Sequence, residues 1–224
     1  MGTEDKELKN DLFVLAKTKG DPLAPEEIKK FLKLARELVT QQTDTRAKRL
    51  KNLRNALLIR LLALTGRRIG EILSIRVKDI DFEQRIINTV IEKRRIRRKS
   101  KVGEEKIIKT RPISFDFDTH QLMLQYIELK QLKKNDLLFG ISERQAERIV
   151  KALAKQLNLE KNITPHSFRH GLITYLRKLG WSSDDIKKVT GHAKAETIDR
   201  AYDHATFFDV QEKFEKGISK LFED

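Results

Sequence analysis

Thr164-Pro165-His166-Ser167-Phe168-Arg169-His170 opens a helix, and the rest of the chain is read outward from it. His166 and Arg169 then stand one turn apart on one face, so both side chains can address a single anion. Alone, such a pair is common on basic helices. Order gives it weight: Thr65-Gly66-Arg67-Arg68 lies upstream, a Lys- and Arg-rich hairpin lies between, and Gly191-His192 and then Tyr202 follow.

Upstream, Pro22-Leu23-Ala24-Pro25-Glu26-Glu27 begins a helix that carries Ile28, Phe31, Leu32, Leu34, Ala35 and Leu38 at helical spacing to about Gln41. A second helix over 47–64 is apolar through Leu57-Leu58-Ile59-Arg60-Leu61-Leu62-Ala63-Leu64, which places it at the centre of the core. Thr65-Gly66 stops it. A fresh helix starts at Arg67-Arg68-Ile69-Gly70-Glu71-Ile72-Leu73, so Arg68 falls at a helix beginning, where backbone N–H groups favour an anion.

From Ile75 the apolar period changes to two, over 76–82, 86–91 and 106–113. These stretches predict a small antiparallel sheet whose last two strands form a hairpin with its turn near 100–105. Lys93-Arg94-Arg95-Ile96-Arg97-Arg98-Lys99-Ser100-Lys101 is the densest positive charge in the chain, and on a hairpin it suits a groove-inserting finger: Arg94, Arg95, Arg97, Arg98, Lys99 and Lys101 are the candidate DNA contacts. Further helices are expected over 118–130, 143–157, 166–179, 182–189 and 195–203. Phe207, Val210, Phe214, Ile218 and Leu221 then share one helical stripe. The expected fold is mainly α with a small three-stranded antiparallel sheet. It divides into a lead-in at 1–21, a catalytic domain at 22–206 and an amphipathic helix at 207–224.

The 224 residues are 39% hydrophobic and 36% charged, enough for one folded domain with a real core. No apolar run approaches the roughly 18 residues that cross a bilayer, and Met1-Gly2-Thr3-Glu4-Asp5 lacks a signal-peptide pattern, so a cytoplasmic location and no membrane partner are expected. The absence of cysteine excludes disulfides, thiolate nucleophiles and Cys-based zinc sites. A formal charge of +14 favours a polyanionic partner, with nucleic acid first. With aromatics at 7% and no stacking platform in view, an RNA or general nucleic-acid binder ranks last.

Phosphodiesters resist attack because the nucleophile meets negative charge and the alkoxide leaves poorly. An enzyme must neutralise the non-bridging oxygens, place the nucleophile in line and protonate the leaving group. Arg68 and Arg169 suit the first task, since a guanidinium forks onto two oxygens and stays charged. His166, neutral near pH 7, can take a phenol proton. Tyr202 sits in a polar run, Asp199-Arg200-Ala201-Tyr202-Asp203-His204, and is the candidate nucleophile, whereas Tyr126 and Tyr175 lie in apolar helical patterns and are expected in the core with Trp181. His192 can donate to the phosphate, and a hairpin lysine can protonate the leaving oxygen. His170 and His204 are expected to be supporting or surface residues, and His120 has no evident place.

Thr65-Gly66-Arg67-Arg68-Ile69-Gly70-Glu71-Ile72-Leu73, His166-Ser167-Phe168-Arg169-His170 and Gly191-His192 followed by Tyr202 resemble the catalytic domain of tyrosine site-specific recombinases, the phage integrase and Xer-type family. The resemblance spans about 22–204. It implies that Arg68 rather than Arg67 is the active-site arginine and that Glu71 braces the site. It implies strand cleavage through a 3′-phosphotyrosine, rejoining without metal, ATP or other cofactor, double-stranded DNA as partner in place of any small molecule, and a tetrameric synapse in the nucleoid. The final helix would dock on a neighbouring protomer or pack on its own domain. A composition rich in Lys, Glu, Arg, Ile and Leu is of thermophile type and compatible with an archaeal member of the family.

The sequence departs from the family pattern in three places. His192 to Tyr202 is one residue longer than usual. The hairpin is long, so the general acid is Lys93 by distance from the sheet or Lys99 by the Lys-Ser-Lys pattern, and Lys93 is preferred. Almost nothing precedes Pro22, where the family has a core-binding domain, so the chain reads as a fragment or a minimal enzyme with weak, salt-sensitive DNA binding. The competing functions are type IB topoisomerase-like relaxation, which uses the same phosphotyrosine, and a non-catalytic DNA-binding accessory factor.

Overall fold

The computed structural model describes residues 20–100 and 103–191, the side chains of 90–111 excepted. Lys101, the helix expected at 195–203 and the apolar stripe of the tail lie outside the described residues, as do His192, Tyr202 and nearly all of the lead-in.

Helix α1 (Pro25–Thr40) starts where the Glu27 carboxylate accepts from the Ala24 N–H at 2.7 Å, and it buries Ile28, Phe31, Leu34, Ala35 and Leu38. Helix α2 (Arg46–Thr65) begins at Thr45, whose hydroxyl accepts from the Lys48 N–H at 3.2 Å, and is buried almost throughout its second half. Each Leu or Ile it removes from water contributes about 1.5–3 kcal/mol. Arg60 lies in that apolar run, paired with the Asp116 carboxylate at 2.5 Å and the Thr119 hydroxyl at 2.9 Å, so its charge is compensated where it is buried. Gly66 ends α2 in the left-handed region, at φ +57°, which a glycine adopts without penalty.

A short helix α3 (Ile69–Leu73) follows, then a three-stranded antiparallel sheet in the order β1 (Ile80–Asp81), β2 (Ile86–Ser100), β3 (Gly103–Ser114). Ile87 faces Ile113 in the register, and both are buried against the core. Helices α4 (Phe117–Lys130), α5 (Glu143–Gln156), α6 (Pro165–Lys178) and α7 (Ser183–Thr190) complete the described chain. α2 is the hub that α1, α4 and α6 pack against, and Phe31 of α1 meets Phe168 of α6 edge-on at 4.8 Å. The expected class, mainly helical with one small antiparallel sheet, is the observed one.

Three expectations are corrected. Residues 76–82 are not a continuous strand. Val77–Asp79 form a 3₁₀ turn, because the Asp79 carboxylate captures the Arg76 N–H at 2.8 Å while the Val77 and Lys78 N–H groups donate to the Asp136 and Lys134 carbonyls. Only Ile80 and Asp81 remain to pair with β2. The hairpin is also tighter than expected, since pairing runs on to Ser100 and Gly103. Tyr175 and Trp181 are exposed, at 39% and 46%, rather than core residues. His120 finds a place among the rings of Phe82, Phe115 and Phe117.

Candidate active site

Three elements converge at the end of α2. The turn after it, Thr65-Gly66-Arg67-Arg68, is held by the Thr65 hydroxyl, which donates to the Leu61 carbonyl at 2.5 Å and accepts from the Arg67 N–H at 3.3 Å. Arg68 is the cap of α3, and 42% of its side chain is exposed, so its guanidinium can meet a large ligand. The Glu71 carboxylate, nearly fully buried, sits 3.3 Å from Arg68 Nη1 and 4.0 Å from Arg67 Nη1. One carboxylate thus braces an outward and an inward arginine.

Helix α6 supplies the second part. Pro165 opens it, and the Ser167 hydroxyl accepts from the Thr164 N–H at 3.1 Å, which fixes its first turn. The Arg169 side chain, 2% exposed, donates from Nη1 to the Gly66 carbonyl at 2.7 Å and to the Thr190 carbonyl at 2.5 Å. Two fixed acceptors on one nitrogen set the plane of the guanidinium. His166, one turn earlier and partly buried, feels both cations: burial first, then Arg169 and Arg68, pull its pKa below the usual 6.5, so it is a neutral base at pH 7. The structure therefore brings Arg68, Glu71, His166 and Arg169 together.

The third part is the end of α7. Gly191 caps that helix at φ +75°, and a Cβ placed there would run into the Arg67 guanidinium. Arg67, 1% exposed, also donates from Nη2 to the Pro112 carbonyl of β3 at 3.2 Å. This buried arginine links the α2–α3 turn, the base of the hairpin and the residue before His192. Sequence reasoning passed over Arg67, because nothing in a run of basic residues marks which one turns inward. His170, expected to be a supporting or surface residue, meets His166 directly. The His170 Nε2 lies 2.8 Å from the His166 Nε2, and the rings meet edge-on at 4.4 Å. The i,i+4 spacing of the two histidines is the signal that could have found it.

Lys93 lies in β2 where the register breaks between Val90 and Arg95, at the sheet end of the hairpin rather than its tip. Arg94, Arg95, Arg97, Arg98 and Lys99 continue along the same strand, their side chains outside the described set. Among the described residues no cluster of three His, Cys, Asp or Glu could hold a metal ion, and no helix is long and apolar enough to cross a membrane.

Against known proteins, the model of the phage integrase family matches residues 22–208. The tyrosine recombinase XerA of Saccharolobus solfataricus is 32% identical over 198 residues, covering 88% of this chain and 61% of that protein. The virulence plasmid integrase pGP8-D of Chlamydia trachomatis is 30% identical over 195 residues, covering 84% of this chain and 56% of that one. The chain therefore spans between half and two thirds of the length of these curated relatives. Among solved structures, the XerH site-specific recombinase bound to its difH substrate superposes with a TM-score of 0.61 at 26% identity, covering 82% of this chain and 50% of that one. A XerA recombinase crystal structure shares the fold with a TM-score of 0.63 at 22% identity, over 88% of this chain and 64% of that one. The chain belongs to the phage integrase family, and its fold is that of a tyrosine recombinase catalytic domain.

Proposed function

We propose that this chain breaks and rejoins double-stranded DNA at defined sites through a 3′-phosphotyrosine link formed on Tyr202. The observation that carries this reading is the convergence of Arg68, His166 and Arg169, with Arg169 tied to the carbonyl of Thr190 just before Gly191-His192. Arg68 and Arg169 neutralise the non-bridging oxygens of the scissile phosphate, and His192 donates to one of them. His166 removes the proton as the Tyr202 Oη attacks phosphorus. The bond from phosphorus to the 5′ oxygen breaks, and that oxygen takes a proton from a hairpin lysine, Lys93 in preference to Lys99. The reverse reaction, with the 5′ hydroxyl of another strand as nucleophile, rejoins the DNA and frees the phenol.

The chain holds three tyrosines, and two fit the role poorly. Tyr126 is buried, and its burial pushes the phenol up to about 12. Tyr175 lies nine residues after His166 on the same helix, about half a revolution away and so on the opposite face. Arg94, Arg95, Arg97, Arg98, Lys99 and Lys101 would grip the DNA backbone. Residues 22–206 form the catalytic unit in this reading, and 207–224 dock on a neighbouring subunit of a tetramer assembled on DNA in the nucleoid.

The test is incubation of the full chain with a nicked half-site duplex and separation on a denaturing gel. The wild-type chain is expected to form a covalent adduct that Tyr202→Phe abolishes while DNA binding persists. An adduct that survives Tyr202→Phe moves the nucleophile elsewhere. Exchange between two paired sites separates recombination from topoisomerase-like relaxation.

A further inference from the structure

The contact between His166 and His170 has a direction that the chemistry fixes. Two neutral imidazoles whose Nε2 atoms lie 2.8 Å apart share one proton, so one ring donates and the other accepts. If His170 donated, His166 would carry its own proton on Nδ1 and use its one basic nitrogen as the acceptor. Neither nitrogen could then take a phenol proton without breaking the contact. If His166 donates, its Nδ1 is left as a bare base, and the contact survives when that nitrogen becomes protonated. The second arrangement alone is compatible with His166 as general base.

We propose that His170 is a positioning residue whose Nε2 accepts the Nε2 proton of His166, holding that ring in the tautomer that leaves Nδ1 basic. The proposal rests on the reading of His166 as the base and adds what prepares it. The two rings share one helical face at i and i+4, and they meet at an interplanar angle of 80°, a geometry that lets an N–H in one plane point at a lone pair in the other. The next residue, Gly171, packs closely under the segment crossing α6, where an added Cβ would lie 2.5 Å from the Leu23 carbonyl.

Among the described residues, the charged groups acting on the pair are Arg169 from the same helix and Arg68 from the α2–α3 turn, both cationic. Burial, then His166 and Arg169, lower His170 to about 4, so it stays a neutral acceptor throughout the range in which His166 works.

The test uses the full chain with ¹⁵N-labelled histidine, in which five histidines keep the spectrum assignable. Side-chain nitrogen shifts should show His166 as a single tautomer, protonated at Nε2 and bare at Nδ1. His170→Phe should turn it into a mixture of tautomers and slow adduct formation on a nicked half-site by roughly 10–100-fold, the usual cost of losing an orienting partner. DNA affinity and the thermal midpoint should hold. His170→Gln, whose side-chain carbonyl can accept the same proton, should recover part of the rate. A His166 found protonated at Nδ1 in the wild-type chain overturns the proposal, and so does a His170→Phe variant with unchanged tautomer and rate. A wild-type chain that forms no adduct would sink the catalytic reading alone, and the tautomer measurement would still decide the pairing.

Discussion

Arg169 Nη1 donates to the Thr190 carbonyl at 2.5 Å, so the arginine that faces the proposed phosphate also pins the end of the helix leading to His192. Position and charge are thus coupled in one side chain. Lysine keeps the charge, but its single, shorter-reaching nitrogen cannot both serve the Gly66 and Thr190 carbonyls, as Nη1 does, and fork onto a phosphate. Arg169→Lys should lower stability by about 1–3 kcal/mol, the cost of leaving a buried acceptor unmatched, and slow cleavage at least tenfold. Urea unfolding and single-turnover cleavage on a half-site check the two effects separately.

Glu71 is the only carboxylate within 4.0 Å of both Arg67 and Arg68 among the described residues. Arg68 is partly solvated and loses little if that charge disappears. Arg67 is 1% exposed, and its buried charge would lose the Glu71 carboxylate. Glu71→Gln should therefore destabilise the chain by about 3 kcal/mol, the low end for breaking a buried pair, because the Arg67 contact is long. A loss below 0.5 kcal/mol in urea titration would show that Arg67 is compensated elsewhere.

Gly191 and Arg67 are coupled through space. Gly191→Ala adds left-handed backbone strain of about 1–2 kcal/mol and drives a methyl into the Arg67 guanidinium. In an Arg67→Ala background only the backbone strain should remain. A double-mutant cycle by chemical unfolding should give an interaction energy well above 0.5 kcal/mol, and simple additivity would refute the contact.

Much of this was legible in the primary chain. The apolar run at Leu57–Leu64 announced the central helix, and the Thr-Gly stop and the His-x-x-Arg start marked two helix ends that carry the charged residues. Residues 76–82 misled because period two does not reveal that Asp79 will capture a backbone N–H, or that the 133–138 loop will take the next two. Tyr175 and Trp181 misled because large apolar residues are often exposed, so the rule that they pack inside runs one way only. Arg67 was hidden because burial of one of two adjacent arginines is decided by Pro112 and Gly191, far away in the chain.

The histidine pair gives stability a pH dependence. The folded pKa of His170 is about 4 against 6.5 for the unfolded side chain, so protons bind the unfolded chain preferentially between those values. Its contribution is fully present above pH 6.5 and is lost as pH falls toward 4. Urea midpoints measured from pH 7 to pH 4 should fall less steeply for His170→Gln than for the wild-type chain. Equal slopes would show that His170 is not held neutral by burial.

The most direct measurement is the identity of the residue that carries DNA. The full chain is trapped on a nicked half-site, digested with trypsin and nuclease, and the nucleotide-bearing peptide is sequenced by mass spectrometry. The account predicts the link on Tyr202, within the peptide spanning residues 201–213. A link on the exposed Tyr175, or on a serine or threonine, would contradict the convergence of Arg68, His166 and Arg169 on a phosphate attacked by Tyr202.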